Sequence, residues 1–115
     1  MTSPLAAAMT EGTLLVYVLK AAAVTGWRTY HTHDSRHSAS GFPDLVMVRQ
    51  GRILFAELKS EKGTLSAEQV AWLHDLEPAE VYVWRPSQWL DRTIETVLRE
   101  PGAGLRRALG METVE

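Results

Sequence analysis

Two apolar runs, residues 45–48 and 53–56, flank Gln50-Gly51 within the stretch FPDLVMVRQGRILFAELK (residues 42–59). A two-residue turn that uses the positive φ open to Gly51 makes this a β-hairpin. That register sets Arg49 opposite Arg52, Val48 opposite Ile53, Val46 opposite Phe55, and Asp44 opposite Glu57. Side chains alternate along a strand, so Asp44, Val46, Val48, Ile53, Phe55, Glu57 and Lys59 share one face. Leu45, Met47, Leu54, Ala56 and Leu58 share the other. Both faces are apolar along most of their length, which predicts helices above and below the sheet. The exceptions are the charges at the open end. Carboxylates directly opposite each other repel, and buried charge is costly unless it is paired or holds a metal.

The rest of the chain supplies the covering helices. Thr10 caps a helix predicted from Glu11 to about Thr25, with Leu14, Leu15, Val18, Leu19 and Ala22 as its stripe and Gly26 as its stop. Residues 27–33 (WRTYHTH) alternate as a strand, and 34–41 (DSRHSASG) form a polar loop. Ser66 caps a second helix through Leu76, and 81–84 (VYVW) is a short buried strand. Ser87 caps a last helix to about Arg99. The predicted order, α-β-β-β-α-β-α, is that of an α/β layered domain. At 115 residues the length fits a single domain over 1–100, followed by a loosely held tail over 101–115.

Composition narrows the function. The chain has no cysteine, which removes disulfides and thiolate metal sites and fits a reducing cytoplasm. No apolar run is long enough for a membrane span. The net charge of −2 argues against coating nucleic acid by bulk attraction. Through Lys62 the chain carries seven Lys/Arg and five Asp/Glu; beyond it there are five and nine. A polyanion therefore favours the first half.

Two readings fit the charged end of the hairpin. In one, Lys59 pairs with Glu57 or Asp44 as a structural salt bridge. In the other, Asp44 and Glu57 offer the open, hard-oxygen site that Mg²⁺ prefers, completed by waters and substrate phosphate. The backbone carbonyl of Leu58 lies within reach of that site, and Lys59 stands beside the attacking water. His31 and His33 share a strand face and could hold zinc, but the sequence offers no evident fourth ligand.

Pro43-Asp44 followed by Glu57-Leu58-Lys59 resembles the PD-(D/E)xK nuclease pattern. The wider segments GFPDLVMV, FAELKSEKGTLSAEQVAWL and VYVWRPSQW are similar to the virus-type replication-repair nuclease (VRR-NUC) family in its small, phage-like form. The segment LHDLEPAEVYVW departs from that pattern, with Glu77-Pro78-Ala79 where relatives have a glycine-containing turn. The resemblance implies a restriction-endonuclease-like core, a mixed sheet flanked by helices. It also implies a Mg²⁺- or Mn²⁺-dependent DNA endonuclease in phage replication, recombination or repair. Asp44 and Glu57 would be metal ligands and Lys59 the catalytic lysine.

Glu11 takes the place of a family glutamate that ligates metal directly or through water, though an acid in a first helical turn also suits the helix dipole. Gln69 takes the place of a catalytic-site glutamine, and Ser66-Ala67-Glu68-Gln69 equally reads as a capping box. Arg36, His33, His37 and Lys62 are candidate phosphate contacts. Similarity to Holliday junction resolvases implies branched DNA and a homodimer. The alternatives are a flap, nick or single-strand nuclease of lower selectivity, and a non-catalytic DNA-binding module on the same fold.

Overall fold

The computed structural model of the chain describes residues 3–32 and 39–101. The predicted phosphate contacts His33, Arg36 and His37 lie outside them, as does nearly all of the predicted tail. Gln50 and Gly51 both take positive φ, 48° and 84°, and the hairpin they close has the expected register, with Val46 opposite Phe55 and Val48 opposite Ile53. Strands β2 (Leu45–Arg49) and β3 (Arg52–Leu58) form its arms. β1 (Arg28–His31) adds antiparallel to β2, and β4 (Glu80–Trp84) adds parallel to β3. The sheet order is β1-β2-β3-β4. The parallel pair is connected by α3 (Ala67–Leu76), whose Ser66 cap and Gln69 complete a reciprocal capping box.

Helix α2 (Glu11–Val24) begins at its Thr10 cap, as predicted. Its Leu14, Val18 and Ala22 pack with Leu45, Met47, Leu54, Ala56, Leu58 and Trp84 from one sheet face into the core. Ile94 and Leu98 close that core from α5 (Thr93–Arg99). The hairpin tip is fastened to the same layer. The Arg49 and Arg52 guanidiniums sit 4.8 and 5.1 Å from the centre of the Trp27 ring. Arg49 donates to the Thr25, Leu98 and Glu100 carbonyls, and Arg52 to those of Val97 and Glu100. Cations thus meet the carbonyl-rich ends of two helices, where the dipole favours them.

Three expectations need correction. A helix α1 (Pro4–Ala8), capped by Ser3, precedes α2. The last helix is two, α4 (Pro86–Leu90) and α5, because Arg92 is left-handed (φ 69°) and Asp91 accepts from the Thr93 amide. Its start lies two residues earlier than predicted, with Arg85 rather than Ser87 at the cap and Pro86 in the first turn, where a missing N–H costs nothing. Finally, only one sheet face is fully covered. On the other face α3 reaches the sheet through Phe42, which contacts Phe55 and Trp72 edge-on. Tyr30, Val48 and Ile53 stay exposed because the ten residues of α3 do not extend to the hairpin tip.

Gly41 packs directly against the start of α3. It has φ 85°, and a Cβ there would stand 2.5 Å from the Glu68 carbonyl carbon. Left-handed strain and forced overpacking add, so Gly41→Ala is expected to lose about 2–4 kcal/mol, read as a lower urea midpoint.

Candidate active site

A cavity of about 220 Å³ lies at the open end of the hairpin. Asp44 enters it just before β2, Glu57 and Leu58 from the end of β3, Lys59 just beyond, Gln69 from α3, and Glu11 from the first turn of α2. Six predicted site residues from four parts of the chain thus meet in one place. Lys62 is exposed and does not line this cavity. His31 does line it, and the sequence reading considered that residue only for zinc. The signal was available: a strand through His31 that pairs with β2 must bring it to Leu45, next to Asp44.

Asp44 is fixed by the backbone: the Leu58 amide donates to its Oδ2 at 2.7 Å. Glu57 is only 3% exposed. Burial, chiefly, pushes its carboxyl up to about 8. The Asp44 charge and a hydrogen bond to Asp44 add to this, as does the charge of Glu11, while Lys59 opposes it. The Lys59 ammonium lies 3.9 Å from both Glu57 Oε2 and Glu11 Oε1. Glu11 therefore leans on the lysine. Among the described residues no three His, Cys, Asp or Glu side chains are close enough together to hold a metal ion unaided.

Both readings of Gln69 hold at once. Its Oε1 accepts from the Ser66 amide at 2.8 Å, completing the cap. That fixes the direction of its Nε2, which donates to Glu57 Oε2 at 3.0 Å. Glutamate would serve the cap equally well but has no proton for Glu57. Gln69→Glu is therefore expected to keep its melting temperature near the wild-type value while DNA cleavage falls about 10–100-fold. Equal cleavage by the two proteins would remove Gln69 from the site.

Residues 5–85 match the family model of the VRR-NUC domain. The chain belongs to the VRR-NUC family. No curated protein and no solved structure matches it. The mixed sheet with its helices is the restriction-endonuclease-like fold of VRR-NUC domains. Membership makes this a nuclease domain of the PD-(D/E)xK type, with DNA as its substrate. VRR-NUC domains are of a type that generally uses divalent metals. The oxygen donors here suit such an ion: two carboxylates facing one gap, one held toward its neutral form by burial and then by the charge of the other, are a pair short of a cation.

Proposed function

We propose that this VRR-NUC domain is a Mg²⁺- or Mn²⁺-dependent endonuclease selective for branched DNA, working as a homodimer in phage replication, recombination or repair. The observation that carries the proposal is the convergence of Asp44, Glu57, Lys59, Gln69 and Glu11 on one cavity. Asp44, Glu57 and the Leu58 carbonyl would hold the cation, and Glu11 would reach it through water. When bound, the ion supplies charge for the phosphoryl oxygens and makes a water more acidic.

The chain's own groups do the rest. Asp44 and Glu57 set where the scissile phosphate can lie. Gln69 keeps Glu57 turned into the cavity. Lys59, held between two carboxylates, orients the attacking water and stabilises charge on the phosphate as the P–O bond breaks. Lys62 contacts the DNA backbone outside the cavity, and Arg36, His33 and His37 are further phosphate contacts. Among the described residues no helix is long and apolar enough to cross a membrane; the proposed setting is the host cytoplasm.

The test is cleavage of labelled four-way junction, flap, nicked, single-stranded and linear duplex DNA with Mg²⁺, Mn²⁺ or EDTA. Metal-dependent, paired nicks in the junction, made by a species that sediments as a dimer, are the expected result. Equal cutting of every substrate would replace branch selectivity with a general nuclease. No cutting of any, with DNA binding indifferent to Asp44, would leave a binding module.

A further inference from the structure

We infer that Arg85 is a positioning residue for Lys59, acting through the loop at residues 60–63. The parallel register pairs Leu58 with Trp84, so Arg85 stands level with Lys59, whose amide donates to the Trp84 carbonyl at 3.0 Å. Arg85 Nη1 then lies within hydrogen-bond distance of three carbonyls of that loop: Ser60 at 2.8 Å, Glu61 at 3.1 Å and Gly63 at 2.8 Å. From the same side the Ser87 amide donates to Glu61 Oε1 at 3.0 Å. The loop closes on itself through a bond from the Gly63 amide to the Ser60 carbonyl at 3.2 Å.

This folding lays Gly63 along the lysine. A Cβ on Gly63 would stand 3.6 Å from Lys59 Cδ, an ordinary packing distance. Arg85 grips the Gly63 carbonyl, Gly63 lies beside the lysine stem, and the stem delivers the ammonium to Glu57 and Glu11. A side chain with several rotatable bonds is costly to hold in one rotamer unless its stem is packed, and displacement of a reacting group by about 1 Å costs on the order of 10²-fold in rate. Arg85 reaches neither Asp44 nor Glu57 by any hydrogen bond and does not line the cavity. Its effect is therefore on turnover, not on cation binding. The inference rests on Lys59 being catalytic.

The experiment compares wild type, Arg85→Ala and Arg85→Lys in kcat and KM on a DNA that wild type cuts. Mn²⁺ affinity is measured by calorimetry without DNA, and hydrogen exchange is followed over residues 59–64. For Arg85→Ala we expect kcat to fall about 10–100-fold, KM and Mn²⁺ affinity to hold, and the Lys59 and Gly63 amides to exchange faster. Arg85→Lys, whose compact ammonium donates from a stem without the planar guanidinium, falls between, and millimolar methylguanidinium restores part of the Arg85→Ala rate. An unchanged kcat in folded protein overturns the inference, as does a change confined to KM or Mn²⁺ affinity. If Arg85→Ala does not fold, Arg85→Lys decides by the same readings. Should wild type cut nothing, the functional reading fails by itself. The exchange data then still judge the Arg85 contact, and unchanged protection over 59–64 refutes it.

Discussion

Asp44→Asn is expected to yield a well-folded protein that has lost DNA cleavage by on the order of 10³-fold. Asparagine keeps an oxygen for the Leu58 amide, so the end of the hairpin stays closed. What disappears is one of the two charges facing the gap. The Glu57 carboxyl then loses a neighbour that holds it near 8 and ionises at lower pH. Two changes in opposite directions should appear together: single-turnover cleavage with Mg²⁺ or Mn²⁺ collapses, while the metal-free protein melts no lower than wild type at pH 8. A variant that melts well below wild type would mean that Asp44 is chiefly structural.

The second large effect is a fall in the stability of the metal-free protein as pH rises from about 5 to 8. Glu57 has a folded value near 8, against an ordinary 4.5. Between those values the folded state holds a proton that the unfolded chain has released, so raising pH favours unfolding. The stability tied to this proton is complete below pH 4.5 and gone above 8. For a carboxyl this buried it amounts to about 3–5 kcal/mol. Glu57→Gln should flatten the slope.

A divalent cation should oppose the loss, because it competes for the same oxygens and binds best when they are ionised. At about 100 times its Kd it would return about 2.7 kcal/mol, and more of its benefit should appear at pH 8 than at pH 5.5. Melting scans at the two pH values, with and without Mn²⁺, read both effects. A flat profile for the metal-free wild type would place Glu57 in a far wetter setting than its 3% exposure indicates.

Much of the site was readable because a hairpin is a local object. Gln50-Gly51 specified the turn, the turn specified the register, and the register put Asp44 across from Glu57. Ser66 and Gln69 specified the start of α3 in the same local way. The break at Arg92 was not readable, since a left-handed arginine has no compositional sign and follows from how α4 and α5 must each pack. The bare sheet face was hidden for a similar reason: apolar alternation says which residues share a face, not how far a helix extends across it. Arg85 was read only as part of a family-like segment, since its contacts join residues more than 20 positions apart.

The parallel pairing of β3 with β4 also governs when the site can exist during synthesis. A growing chain that has emerged only through Lys59 carries both hairpin carboxylates and the lysine. It still lacks the α3 amide that orients Glu57, the Trp84 carbonyl that fixes the Lys59 backbone, and the guanidinium that gathers the following loop. None of these lies on the hairpin, and the last comes at residue 85 of the matched 5–85. Ribosome-bound fragments therefore cannot complete this set of contacts until residue 85 has emerged.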